Sequence, residues 1–151
     1  MARSMQRTRP AADFEACYRR MVKRGELVTH RVDRIVYVWP VNAKPETAPN
    51  ESVRFLAPFD PLVWDRKRFA HLWGWDYRFE AYTPEPKRKM GYYALPLLWR
   101  ENVVGWVNAR IENERLIVKP GFAKSLPRAD KSAFKSAFDE EVERFAVFLL
   151  P

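Results

Sequence analysis

Acid–base catalysis needs carboxylates close together, and Asp60, Asp65 and Glu80 all stand in one aromatic-rich stretch, residues 57–98. Their neighbours give each a structural task instead. Asp60, between Phe59 and Pro61, is a turn former. Asp65 precedes a helical pattern and reads as its N-cap, paired as well with a nearby arginine. Glu80 falls on the face of an expected strand. His30 and His71 are far apart and Cys17 has no partner at ligand spacing, so no zinc site and no cofactor is expected. Gly25, Gly74 and Gly91 stand singly, which excludes a glycine-rich phosphate loop. Ser4, Ser52, Ser125, Ser132 and Ser136 have no elbow motif around them, so acyl transfer has no support. Basic side chains offer a different chemistry, the neutralisation of a polyanion. Arg19, Arg20, Lys23 and Arg24 share one helix face, Arg31 and Arg34 flank a turn, and Lys87-Arg88-Lys89 is an uninterrupted run.

The charge balance agrees with that reading. The formal net charge is +8 over 151 residues. Residues 1–40 hold nine Lys and Arg against four Asp and Glu, and residues 41–128 hold fifteen against ten. Residues 129–151 reverse the sign, with three against five. Positive charge is thus concentrated away from the C-terminal segment, as on a surface that faces nucleic acid. Hydrophobic residues form 47% of the chain, enough for a buried core and too many for global disorder. A single cysteine excludes an internal disulfide framework and fits a reducing compartment. No apolar run is long enough to span a membrane and no secretory signal is evident, so the expected location is cytoplasmic.

These side chains need elements to position them. Residues 1–10, with Arg3, Arg7 and Arg9, have no apolar period and read as an arm. From Ala11 the spacing of Phe14, Cys17, Tyr18, Met21 and Val22 predicts a helix that Gly25 stops. Two β-prone runs follow, Leu27 to Val32 and Ile35 to Trp39, turning at Asp33-Arg34. Helix, strand, wing, strand is the second half of a winged-helix unit. Residues 41–52 carry prolines and little to bury, so they are a linker between residues 1–40 and a second domain, 53–151. In that domain a helix should run from Asp65 to Gly74, with strands at Tyr77–Tyr82, Tyr92–Leu98, Val103–Ile111 and Leu116–Val118. The first two would form a hairpin with Lys87-Arg88-Lys89 at its tip. A last helix, capped by Asp130 or Ser132, presents an apolar stripe of Phe134, Phe138, Val142, Phe145 and Leu149. The expected class is α+β: a partial winged helix, then a small antiparallel barrel or curled sheet closed by a C-terminal amphipathic helix. Its six tryptophans exceed what a small barrel core takes, leaving one or two for a base or an interface.

Several of these segments match the wording of a known family. Pro58-Phe59-Asp60, Leu62-Val63-Trp64-Asp65-Arg66, Tyr77-Arg78-Phe79-Glu80-Ala81-Tyr82 and Lys87 through Pro96 occur in order at family-like spacing. The chain resembles the winged-helix DNA glycosylases that release alkylated or crosslinked bases (the AlkZ/YcaQ-like family), specifically their C-terminal part. The resemblance implies that the Lys87-Arg88-Lys89 segment approaches the duplex. It also implies a catalytic Gln-x-Gln or Gln-x-Asp signature near the N-terminus of a longer chain. The only glutamine here, Gln6, does not form it. The resemblance thus points to a chain truncated before the catalytic region.

Three expectations follow. The leading one is double-stranded DNA binding without catalysis by this chain alone, through Arg19, Arg20, Lys23, Arg24, Arg31, Arg34, Lys87, Arg88 and Lys89. The second is a glycosylase active only with a partner chain that supplies the N-terminal half. The third is a protein-interaction module with no role for the basic face. None involves a membrane or a small-molecule cofactor.

Overall fold

The computed structural model describes residues 11–44, 48, 50–123 and 130–150. The arm expected at residues 1–10, with Gln6, lies outside them, as do Ser125 and part of the linker. The chain divides into two compact units, Met1–Thr47 and Ala48–Pro151.

The first unit is a helix followed by a hairpin. Helix α1 (Ala11–Lys23) has Asp13 in its first turn and Arg20 and Lys23 in its last, charges that complement its dipole. Phe14, Cys17, Tyr18, Met21 and Val22 are its half-buried positions, the face that the spacing predicts. The helix ends at Gly25, where the Glu26 N–H donates to the Met21 carbonyl at 3.0 Å. Strands β1 (Leu27–Val32) and β2 (Ile35–Pro40) pair antiparallel, with Val32 opposite Ile35 and Asp33 turned to φ 53° between them. No described residue of this unit is fully buried.

The second unit is built on a four-stranded antiparallel meander of β3 (Val53–Phe55), β4 (Ala94–Trp99), β5 (Asn102–Glu112) and β6 (Arg115–Phe122), in that order. The last two joints are two-residue turns. Arg100 has φ 54°, and Asn113 and Glu114 have φ 48° and 61°, the twist that suits tight hairpins. A bulge between Leu97 and Leu98 lets Val104 face the same side as Leu97, and the sheet curls there. Gly105 is required beside this bulge, because an added Cβ would enter the Gly121 carbonyl of β6.

Both faces of the sheet are covered. Leu95, Leu97, Trp99, Val104 and Val107 pack against Phe134, Phe138 and Phe145 of helix α4 (Lys131–Leu149). On the opposite face Leu98 and Val103 meet the long excursion between β3 and β4. That excursion holds helices α2 (Pro61–Trp64) and α3 (Arg66–Trp73), which contribute Val63 and Phe69. Burying each such side chain contributes about 1.5–3 kcal/mol, so each layer is held by several mutually supporting contacts. The result is an α+β unit with a curled antiparallel sheet and a C-terminal helix.

Three expected details are corrected. Tyr77–Tyr82 is not a strand: it runs irregularly, buried at Tyr77 and Glu80, with no paired neighbour. The expected hairpin with a basic tip is therefore a loop containing a 3-10 turn at Glu85–Lys87, and the strand on its far side starts at Ala94. Asp130 sits at the N-cap of α4 but makes no capping bond; its carboxylate lies 3.4 Å from Arg100 of a distant turn. Strand β6 runs from Arg115 to Phe122, longer than Leu116–Val118, because Pro120 is tolerated on an edge strand.

Candidate functional site

Asp60 and Asp65 both serve the backbone. Asp60 Oδ1 accepts from the Leu62 N–H at 2.7 Å and starts α2. Asp65 Oδ1 accepts from the Arg68 N–H at 3.1 Å and starts α3. The contact of Asp65 with Arg68 is to its backbone N–H, while the Arg68 guanidinium donates to the Pro61 carbonyl.

Glu80 is the organising residue of the basic loop. Only 6% exposed, it accepts from the backbone N–H groups of Lys89 (2.9 and 3.0 Å), Met90 (2.7 Å) and Gly91 (3.2 Å). Three successive amides converge on one carboxylate, the arrangement of an anion nest filled by the protein's own side chain. Burial opposes the charge, but the N–H groups of Met90, Lys89 and Gly91 outweigh it and hold the carboxyl below the ordinary glutamate range. The expected strand-face role is thus replaced by a side chain standing in for the missing ladder. Gly91 adopts φ 122°, and a Cβ there would overlap the Asn108 amide. Asn108 Nδ2 and Trp106 Nε1 both donate to the Met90 carbonyl, at 2.7 and 3.0 Å, tying the loop to β5. Tyr77 anchors the preceding segment. Its hydroxyl donates to the Ala94 carbonyl at 2.6 Å, and burial pushes it far above its usual titration range.

The three basic residues of the loop divide between two tasks. Lys87 and Lys89 are exposed. Arg88 is half-buried: its Nε donates to the Thr83 carbonyl at 2.8 Å, and its guanidinium lies 5.0 Å from the Tyr92 ring centre. It braces the loop while its neighbours project from it. In the first unit Arg19, Arg20, Lys23 and Arg24 are exposed along the end of α1, and Arg31 and Arg34 are exposed on the hairpin. Arg19 pairs with Glu15 at 3.0 Å, and Arg24 lies 3.7 Å from Glu26.

Beside the basic loop lies a group of aromatic side chains that sequence reasoning did not single out. Phe79 makes ring contacts with Phe59 (6.0 Å), Tyr82 (6.2 Å) and Tyr93 (5.0 Å). Phe59 is 71% exposed and Tyr82 90%, unusual for side chains in one cluster. Pro58, Phe59, Arg66, Phe79 and Tyr82 line a cleft of about 170 Å³. The surplus expected of the tryptophans is largely absorbed. Trp99 is buried, and Trp75 stacks on Trp106 at 6.0 Å, whereas Trp39 and Trp64 remain partly exposed. Among the described residues no three His, Cys, Asp or Glu side chains are grouped as a metal site would need.

Comparison with known families agrees with the wording of the sequence. The model of the family described as DNA glycosylase AlkZ-like matches residues 5–148. The chain therefore belongs to the AlkZ-like DNA glycosylase family, whose substrate is DNA. No solved structure matches it.

Proposed function

We propose that this AlkZ-like protein binds double-stranded DNA through its phosphates, and that its described residues supply contact surface rather than catalytic groups. The observation that carries the reading is the pinned basic loop. Lys87 and Lys89 project from a backbone fixed by Glu80, Met90 and Arg88, so little ordering entropy opposes their contact with a polyanion. The first unit carries exposed basic residues of its own, Arg20, Lys23, Arg31 and Arg34, suited to phosphate contacts. Asp60, Asp65 and Glu80 are taken up by main-chain amides, which supports a structural rather than an acid–base role for each. Phosphate contacts position a protein without reading sequence, so binding is only weakly sequence-selective.

The test is the double variant Lys87→Ala/Lys89→Ala, measured by fluorescence anisotropy on a short labelled duplex. Arg88 is left in place because it braces the loop. Loss of two exposed charged contacts at about 1 kcal/mol each should weaken binding roughly tenfold or more, with Tm unchanged. Equal affinity for the variant and the natural chain would remove the loop from the interface.

A further inference from the structure

The aromatic cleft has features that phosphate binding leaves unused. Phe59 and Tyr82 are largely exposed, and each makes an edge contact with Phe79. The cleft floor is closed by Pro58 and Val63, both buried, and Arg66 stands at its wall. At about 170 Å³ it is smaller than the roughly 300–1,000 Å³ of ordinary small-molecule pockets, and suits a single planar ring system. The basic loop is linked to it through Phe79 and two successive tyrosines. Phe79 also meets Tyr93, whose chain neighbour Tyr92 lies under the Arg88 guanidinium, and Lys87 and Lys89 flank Arg88. An aromatic cleft with an arginine in its lining can stack a nucleobase while basic side chains neutralise the neighbouring phosphates.

We propose that this cleft receives one unstacked nucleobase of DNA, against the exposed rings of Phe59 and Tyr82, while Lys87 and Lys89 contact the flanking phosphates. The inference rests on the DNA-binding reading and adds to it a preference for DNA that already presents an unpaired base. Apolar protein partners fit the cleft less well, because Arg66 in its lining would have to be desolvated without an anionic partner.

The experiment compares two duplexes of equal length, one perfect and one with a single bulged 2-aminopurine, by anisotropy and by fluorescence of the probe base. The full chain should bind the bulged duplex about 5- to 150-fold more tightly, the range that one stacked base contributes. The 2-aminopurine signal should be quenched on binding. Tyr82→Ala and Phe59→Ala should abolish the preference and the quenching, yet leave affinity for perfect duplex intact. Both side chains are largely exposed, so the variants keep their fold, and Tyr82→Phe should restore the preference. Equal affinity for the two duplexes, or a preference that survives both alanine variants, overturns this inference and leaves phosphate binding standing. Failure to bind either duplex overturns both.

Discussion

Removing the Glu80 carboxylate should release the basic loop. In Glu80→Ala three backbone N–H groups lose their acceptor at once. A hydrogen bond to a charged group is worth about 1.5–3 kcal/mol, and a simple sum would exceed what the site can lose. Lys89 is exposed and Met90 and Gly91 are half-buried, so water can resolvate part of what is orphaned. The expected cost is therefore about 2–4 kcal/mol. In a unit of this size that lowers Tm by roughly 8–16 °C. Glu80→Gln keeps one acceptor oxygen but turns an amide donor toward the same N–H groups, and should cost about 1–2 kcal/mol. Thermal unfolding gives the global effect, and amide hydrogen exchange gives the local one. Exchange should accelerate first at Lys89, Met90 and Gly91, and DNA affinity should fall with it although no basic residue has changed. An Ala variant with native Tm and native protection at these three amides would refute the reasoning.

The same carboxylate sets an acid limit. Its folded pKa is depressed, so its stabilisation is complete above the ordinary glutamate value of about 4.3 and disappears as pH falls through the lower folded value. A pH–Tm series should show a flatter acid limb in Glu80→Gln than in the natural chain; parallel limbs would count against it. Gly91→Ala should destabilise by about 1–3 kcal/mol, since φ 122° is strained for alanine and its Cβ meets Asn108; an unchanged Tm would show that the loop repacks freely. Glu141→Ala should cost about 1–3 kcal/mol, because it strips the Phe55 N–H of its acceptor while the exposed Arg144 is resolvated, as urea titration would register. The chain alone should form no abasic sites above background on alkylated or crosslinked duplexes; activity lost in Asp60→Asn or Asp65→Asn would make those caps catalytic.

Much of the fold was legible because its signals are local. The stripe of Phe14, Cys17, Tyr18, Met21 and Val22, the stop at Gly74, the turn at Asp60 and the cap at Asp65 each depend on neighbours a few residues away. What could not be read depends on distant groups. Residues 77–82 carry β-prone types, but no strand is available to pair with them, and sequence cannot reveal that vacancy. Glu80 was placed on a strand face because its partners, the amides of Lys89 to Gly91, belong to no side-chain pattern. Glu141 was passed over for the same reason. It lies 2% exposed among the aromatics of α4, accepting from Phe55 of β3, where a charged residue ordinarily faces solvent. Asp130 is drawn from its helix to Arg100 by a contact that only the folded sheet creates. The cleft was hidden differently: Phe59, Phe79 and Tyr82 are the same residue types that fill cores, and only their exposure separates them.

The salt dependence of duplex binding tests the central claim most directly. With about four to six phosphates neutralised, a plot of log affinity against log salt should fall with a slope of roughly −3.5 to −5.5, and Lys87→Ala/Lys89→Ala should reduce its magnitude by about 2. An affinity that does not change with salt, or a slope identical in the double variant, would contradict it.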